Sequence, residues 1–163
     1  MTPALSAQAP GGSSLDAIRQ FRDRIADQGD PYGIAAAGAA LLSEELVHPS
    51  AFIYRAEAGG RDLVLLARAP VSAHEGEAVG ARVRATGPLT RALSAGTTQK
   101  AIDSYVEPDF VRSLPGETRS EIAVPISGES GVLGAVRLVY RSTRPRDADI
   151  ELAEMLAAQL VPV

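Results

Sequence analysis

The feature that most constrains the fold of this chain is a stretch of alternating side chains, residues 120–126 (SEIAVPI). Successive side chains of a β-strand point to opposite faces of a sheet, so every second residue here is expected to face an apolar core. The inward-facing residues are Ile122, Val124 and Ile126. A turn at residues 127–131 (SGESG) and a second β-forming run at 132–140 (VLGAVRLVY) complete a predicted antiparallel hairpin. The chain is therefore expected to contain an antiparallel sheet with one face buried.

Helical periodicity is present towards both ends of the chain. Apolar residues recur at helical spacing in residues 14–28 and 32–47, and Asp30 followed by a proline is typical of a helix start. Gly29 is expected to end the first of these helices in the left-handed conformation. Asp147 caps a third amphipathic helix, whose acidic first turn suits the positive end of the helix dipole.

The part of the chain between the second and the last helix is rich in strand and turn signals. The predicted strands are 50–58, 62–69, 79–85 and the edge strand 99–103. A short helix starts at residues 86–88 (TGP), and Gly96 follows its end. Residues 103–118 contain prolines, a glycine and aromatic residues without periodicity and are expected to form a loop.

This order of elements predicts an α+β domain built on one central antiparallel β-sheet. The N- and C-terminal helices are expected to pack on one face of the sheet, and the irregular helix and loop segment on the other. Residues 1–13 are rich in Ala, Pro, Gly and Ser and are predicted to be a disordered tail, so that residues 14–163 form a single domain.

Composition argues against several classes of partner. The chain has 16 Lys and Arg residues against 20 Asp and Glu, and this net charge of −4 disfavours nucleic acids and anionic membrane surfaces. The charge-free stretches of its first third, residues 1–15 and 31–43, are too short to span a bilayer. Residues 1–14 contain no Lys or Arg and no apolar block of signal-peptide length. A cytoplasmic protein without a membrane partner is therefore expected.

The sequence contains no cysteine, so this chain cannot supply disulfides, thiolate nucleophiles or thiolate ligands for a metal. Its two histidines, His48 and His74, lie in predicted loops and are expected to be exposed. Neither position suits a haem or another metal, and no cofactor is predicted.

The C-terminal part of the chain resembles the second half of a GAF domain. The resemblance rests on residues 119–126 (RSEIAVPI), on residues 132–136 (VLGAV) after a glycine-containing turn, and on Arg144-Pro145 before an Ala- and Leu-rich helix. More loosely, it extends over residues 15–161. It implies a small-molecule sensor or regulatory domain whose ligand lies between one face of the sheet and the irregular middle segment.

Three activities associated with GAF domains do not carry over to these residues. Covalent bilin attachment needs a cysteine, and the cyclic-nucleotide signature contains an asparagine, which this sequence also lacks. Residues 120–122 resemble the hairpin of free methionine-R-sulfoxide reductase, and Glu121 matches its substrate-binding glutamate. Arg137 and Val139, however, stand where that enzyme has acidic residues. Because the reductase also needs thiolates, a non-enzymatic protein is expected.

A candidate ligand pocket follows from strand parity in the hairpin. With the turn centred on Glu129, Glu121 lies opposite Arg137 on the face turned away from the helices, and the alanines of that face leave room. Arg137 would take a carboxylate or phosphate of a small polar molecule, and Glu121 an amine or hydroxyl. The candidate ligand-binding residues are Phe52, Tyr54, Tyr105, Phe110, Glu121, Ala123, Arg137 and Val139.

Other interpretations of these residues do not require a ligand. In the first, Glu121 and Arg137 form a cross-strand salt bridge without a ligand, while Tyr105 and Phe110 only anchor the loop. A ligand-free GAF-fold scaffold for dimerisation or interaction is the alternative function. An enzyme with acid–base chemistry around Glu121 and Asp103 is a more distant one.

Apolar residues of the terminal helices predict a homodimer through an intermolecular helix bundle, with packing on the sheet of the same chain as the alternative. These residues are Leu15, Ile18 and Ile25 on the first helix and Met155, Leu156 and Leu160 on the last. A signalling protein partner would receive the ligand signal through the dimer or through the surface of the domain.

Overall fold

A computed structural model describes residues 10–46, 49–57, 62–70, 78–102, 120–141 and 144–160. The helices are α1 (Pro10–Ile25), α2 (Pro31–Glu45), α3 (Pro88–Ala95) and α4 (Asp147–Gln159). The strands are β1 (Ser50–Ala56), β2 (Asp62–Ala69), β3 (Arg82–Arg84), β4 (Gln99–Ile102), β5 (Ser120–Gly128) and β6 (Gly131–Tyr140). Each of these elements overlaps a segment whose residue pattern predicts an element of that type, although α1 begins within the predicted tail and β5 and β6 extend into the predicted turn.

The strands form one six-stranded sheet in the order β3-β2-β1-β6-β5-β4, and every neighbouring pair is antiparallel. The two predicted hairpins, β1–β2 and β5–β6, are both present. They join at the centre of the sheet through the pairing of β1 with β6. Strand β4 is an edge strand, as predicted, and β3 forms the other edge.

One face of the sheet carries the larger apolar core. Helices α2 and α4 contact this face, and α1 packs against both helices. Ile122, Val124 and Ile126 of β5 all lie in this core, which confirms the alternation predicted for the strand. Helix α3 packs on the opposite face, where it contacts β4, β5 and β6. The architecture is therefore the predicted α+β arrangement of helices around one antiparallel sheet.

The ends of α1 differ from the prediction. The helix begins at Pro10, so residues 10–13, predicted to belong to the tail, are helical; proline fits a first turn because the N–H it lacks would have no helical partner there. The helix ends at Ile25, and the N–H of Gln28 then donates to the Ile25 carbonyl at 2.9 Å in a tighter turn. Gly29 does not adopt the predicted left-handed conformation.

The starts and ends of α2 and α3 follow the predicted signals more closely, whereas the N-cap of α4 is Arg146 and not the predicted Asp147, which is the first helical residue. The carboxylate of Asp30 accepts a hydrogen bond from the N–H of Tyr32 at 3.1 Å, which satisfies one of the free donors at the start of α2. Gly96 follows α3 with a φ of 70°, the left-handed conformation in which glycine has no steric penalty. The loop at 103–118, His48 and His74 lie outside the described residues.

The apolar residues of the terminal helices pack mainly within their own chain. Ile18, Leu156 and Leu160 are buried in the helix-side core. Ile25 and Met155 are partly buried against that core. Leu15 on α1 is 54% exposed, and it is the member of this set that is available to another molecule.

Candidate functional site

The register of the β5–β6 hairpin differs from the predicted one by two residues. Glu121 pairs with Val139, and Ala123 pairs with Arg137. The predicted pairing, with a turn centred on Glu129, placed Glu121 directly opposite Arg137 and is therefore wrong. The two charged residues instead lie on a diagonal across the strand pair.

Two features of the turn produce this difference. The connection is the residue pair Glu129–Ser130, so its centre lies half a residue beyond the predicted one. The register also shifts between Ile126 and Ser127, where Ile126 pairs with Gly134 and Ser127 with Val132, so that β6 has one extra residue, Leu133. Because the total shift is even, the two charged side chains still project from the same face of the sheet.

Glu121 and Arg137 form a two-point ion pair inside this face. The Nε atom of Arg137 lies 2.9 Å from Oε2 of Glu121, and Nη2 of Arg137 donates to Oε1 of Glu121 at 2.9 Å. Only 1% of Glu121 and 2% of Arg137 is exposed. Bidentate contacts between a guanidinium and a carboxylate are both strong and directional, so each charge fixes the orientation of the other.

Two aromatic residues of β1 complete the surroundings of the guanidinium. The β1–β6 register pairs Phe52 with Arg137, which brings the guanidinium carbon to 5.5 Å from the centre of the Phe52 ring. Nη1 of Arg137 donates a hydrogen bond of 3.3 Å to the hydroxyl of Tyr54. The two aromatic rings stack with centroids 6.3 Å apart, and both side chains are buried. We call Phe52, Tyr54, Glu121 and Arg137 the buried charge site.

The neighbours of Arg137 keep its side chain charged. Burial alone lowers the pKa of Arg137, but the charge interactions with Glu121 and Tyr54 and the hydrogen bonds to both raise it by more. The pKa of Arg137 therefore lies above its ordinary value. A carboxylate or phosphate brought to this guanidinium would always meet a cation.

The rest of this face is apolar and closely packed. Ala123 and Ala135, predicted to leave room, are fully buried in one cluster with Leu89 and Ala92 of α3. The predicted space is thus occupied by a helix that sequence reasoning did not assign to the site. The signal was present, because Leu89 and Ala92 stand one helical turn apart and mark an inward-facing stripe.

The structure brings most of the predicted site residues together. Phe52, Tyr54, Glu121, Ala123, Arg137 and Val139 all lie on the face that α3 covers. Tyr105 and Phe110, and Asp103 of the alternative acid–base hypothesis, lie outside the described residues.

A second buried polar cluster, absent from the predictions, lies on the helix side of the sheet. The hydroxyl of Tyr140, at the end of β6, donates to Oδ2 of Asp149 in α4 at 2.7 Å. The guanidinium of Arg146 donates to Oδ1 of the same carboxylate at 3.0 Å, and the backbone N–H of Arg146 donates to Oδ2 at 3.4 Å. Burial raises the pKa of Tyr140, and the hydrogen bond to Asp149 raises it further. This cluster ties the start of α4 to the end of β6 and has a structural role.

The described segments contain no group of three or more His, Asp or Glu side chains placed to hold a metal ion. Among the helices formed by these residues, none combines the length and the apolar character needed to cross a membrane.

No family model matches the sequence, and no curated protein matches it either. Solved structures, in contrast, superpose over almost the whole chain. The GAF domain of a phosphoenolpyruvate-protein phosphotransferase from Acinetobacter has a TM-score of 0.77 at 16% identity, over 91% of this chain and 90% of that chain. A GAF sensor protein from Burkholderia vietnamiensis has a TM-score of 0.75 at 21% identity, over 94% of both chains.

A free methionine-R-sulfoxide reductase from Neisseria meningitidis, solved with its substrate, has a TM-score of 0.77 at 22% identity, over 96% of this chain and 90% of that chain. The chain described here has the GAF fold, which confirms the resemblance at the level of architecture. GAF domains are generally sensory or regulatory domains that bind small molecules, and some proteins of this fold are reductases.

Proposed function

We propose that this chain is a non-enzymatic sensory or regulatory GAF domain that binds a small polar molecule between the sheet and the middle segment of the chain. The buried charge site is the proposed ligand site. The observation that carries the proposal is the bidentate ion pair between Glu121 and Arg137, which lies within an otherwise apolar face of the sheet.

The energetics of burial support a role for this pair beyond stability. Taking both charges out of water is unfavourable, and an apolar pair of similar volume is often as stable or more stable. Phe52, Ala123 and Ala135 of the same face belong to one apolar cluster, so apolar side chains at the two charged positions would have apolar neighbours. A charged pair at this position is therefore explained better by recognition of a ligand than by the needs of the fold.

The chemistry of the pair favours a zwitterion as the ligand. A carboxylate on Arg137 and an ammonium group on Glu121 would replace one buried ion pair by two, and no charge would be left uncompensated. A simple anion would bind Arg137 but leave Glu121 without an equivalent partner. A zwitterion is therefore preferred over an anion of the same size.

Access to the site requires movement of the part of the chain that covers it. Within the described residues, α3 packs over this face, and its two ends are glycines with positive φ, 55° at Gly87 and 70° at Gly96. Glycine has no Cβ and can adopt a wider range of φ and ψ angles than other residues, so both ends of α3 can change conformation without a side-chain clash. Displacement of α3 is the proposed route by which a ligand reaches Arg137.

The alternative function, a ligand-free scaffold, is favoured by one observation. Phe52 and Tyr54 are each 1% exposed and fill the space in front of the guanidinium. In this view the fold is kept for protein contacts, and the ion pair only orders the sheet.

Native mass spectrometry of freshly purified protein tests the two functions against each other. The sensor proposal predicts that the protein retains a small molecule through purification. If the site is empty, it predicts that an added zwitterion, such as a free α-amino acid, raises the melting temperature. Arg137→Met is expected to abolish that effect. Arg84→Met, a matched change of an exposed arginine on β3, is expected to preserve it. A protein that retains nothing and responds to no zwitterion or anion supports the scaffold instead.

We further propose a homodimer in which Leu15 of α1 contributes to the contact between two terminal-helix bundles. Leu15 is 54% exposed whereas Ile18 and Phe21 of the same helix are buried, so Leu15 is the apolar side chain of α1 that a second copy can contact. Light scattering at high micromolar concentration is expected to give the mass of two chains, and Leu15→Glu that of one. A monomeric wild type would remove the dimer from the proposal.

The proposed setting is the cytoplasm, with a signalling protein as the partner. The lack of cysteine is compatible with a reducing compartment, and the net charge of −4 disfavours nucleic acids and anionic membranes. A non-enzymatic role is proposed because thiolate-dependent reduction cannot be carried out by the residues of this chain.

A further inference from the structure

A second site is indicated at the β4 edge of the sheet, away from the buried charge site. A solvent-open cleft of about 440 Å³ lies there between β5, the segment before β4 and the C-terminal half of α4. Its polar lining includes Thr97, Thr98, Ser127 and Glu154. We call it the edge cleft. Its volume is within the range of small-molecule sites.

The backbone of β5 presents acceptors to this cleft. Strand β4 pairs with β5 only as far as Gln99 opposite Ala123, so Pro125 lies beyond the end of that ladder. Pro125 is opposite Ala135 of β6 but has no N–H to donate to that strand, so its nitrogen is placed on the outer edge of β5. The nitrogen and the carbonyl of one residue point to the same side of an antiparallel strand, so the Pro125 carbonyl also faces this edge. The edge therefore offers a carbonyl oxygen without the N–H that an added β-strand would need.

The side chains around the cleft have the same acceptor character. The Thr98 hydroxyl donates to Oε2 of Glu154 at 2.6 Å, which links the segment before β4 to α4. Ala157 lies in the last turn of α4, which carries no basic residue to balance the partial negative charge of its terminal carbonyls. Among the described residues that line the cleft, none is basic.

We propose that the edge cleft binds the primary ammonium group of a small alkylamine. The three N–H donors of an ammonium match the carboxylate of Glu154, the hydroxyl oxygen of Thr98 and the carbonyl of Pro125. The alkyl stem packs on Ala158, the exposed apolar residue of the lining. This site involves no residue of the buried charge site and does not depend on the proposed sensor function.

Titration of ¹⁵N-labelled protein with n-butylammonium, followed by amide chemical shifts, tests this assignment. Saturable shifts are expected at Thr97, Thr98, Ser127 and Ala157. The isosteric probes 1-butanol and butyrate are expected to leave these amides unshifted, because the first lacks the charge and the second reverses it. The double substitution Glu121→Leu with Arg137→Met, which removes both charges of the buried charge site, is expected to bind n-butylammonium as the wild type does, so the two proposals can fail separately.

Two substitutions on α4 separate the cleft from general attraction to acidic residues. Glu154→Gln keeps the size of the side chain and is expected to weaken binding about tenfold, the effect of losing a charge-assisted hydrogen bond. Glu151→Gln, an exposed residue three positions earlier, is expected to leave binding unchanged. Thr98→Val removes the hydroxyl group on the other side of the cleft and is expected to weaken the binding of n-butylammonium independently of Glu154.

The proposal is overturned if n-butylammonium produces no saturable shifts at these amides. It is also overturned if amides near all exposed carboxylates shift to the same extent. The same holds if 1-butanol reproduces the shifts, or if Glu154→Gln binds n-butylammonium like the wild type. Amide spectra of each variant without amine show whether the fold is intact. Since Glu154 is exposed, its substitution is expected to leave those spectra close to the wild type.

Discussion

Replacing Arg137 with methionine tests the energetics of the buried ion pair directly. Methionine retains a long, unbranched apolar side chain but removes the charge, so the carboxylate of Glu121, 1% exposed, loses its bidentate partner. Breaking a buried ion pair by removing one partner typically costs about 3–5 kcal/mol, because the other charge stays out of water. That is a large part of the roughly 5–15 kcal/mol by which a folded domain is stable.

The double substitution Arg137→Met with Glu121→Leu is expected to recover most of this loss. Both charges are then gone, and two apolar side chains face the Phe52 ring and the alanines of the cluster. Such replacements are often neutral or stabilising, so the double variant is expected within about 1 kcal/mol of the wild type or above it. The effects of the two single substitutions therefore do not add, as expected for side chains in direct contact.

Urea-induced unfolding followed by circular dichroism measures these differences from the transition midpoints and slopes. Arg84→Met on β3 is the matched control and is expected within about 0.5 kcal/mol of the wild type, since Arg84 is exposed. A loss below about 1 kcal/mol for Arg137→Met would refute the reasoning, because a fully desolvated pair cannot be broken so cheaply. A double variant as unstable as the single one would also contradict it.

Three further substitutions test local features of the fold. Gly134→Ala is expected to prevent folding or to cost several kcal/mol, about the range for severe overpacking, because the added Cβ would overlap a carbonyl oxygen of β1. Gly29→Ala, with no atom near its Cβ position, serves as the control, and thermal unfolding compares the two. Asp30→Ala removes the N-cap of α2 and is expected to lower the free energy of unfolding by about 1 kcal/mol, whereas Asp30→Asn retains most of it; urea unfolding measures both. Tyr140→Phe removes a buried hydrogen bond to the Asp149 carboxylate and is expected to cost about 1.5–3 kcal/mol. The raised pKa of Tyr140 means that above its ordinary value of 10.0 the unfolded chain releases a proton that the folded chain keeps. Wild-type stability should therefore fall there by up to about 1.4 kcal/mol per pH unit from this residue, and urea unfolding of Tyr140→Phe across that pH range should lack this part of the slope.

Elements with a strong local signal could be predicted from the sequence. The alternation in residues 120–126, the Asp30 N-cap and the glycine after α3 each act through neighbouring residues, and each has its predicted role. The end of α1 could not be predicted in the same way. A tighter turn competes there with the left-handed glycine, and both are compatible with the local sequence.

The face of the candidate site could be predicted, but its register could not. Side-chain direction depends only on whether a residue number in the strand is odd or even, so a shift of two leaves it unchanged. The exact partner depends on the turn and on the irregularity between Ile126 and Ser127, which has no clear signature in the sequence. The long side chains of Glu121 and Arg137 tolerate the error, because they reach each other along the diagonal.

The sequence pattern also could not predict how deeply the charged pair is buried. Charged residues in alternate positions are typical of a solvated sheet face, and Glu121 and Arg137 fit that pattern. The structure places α3, which is distant in sequence, over this face, and no local pattern indicates that cover. An apolar pair would also be compatible with a helix packed over this face. The double variant, which is expected to be as stable as the wild type, therefore separates a role in ligand binding from a role in folding. If it folds like the wild type but no longer retains a small molecule, the charges serve recognition; if no ligand distinguishes the two proteins, the scaffold explains the domain.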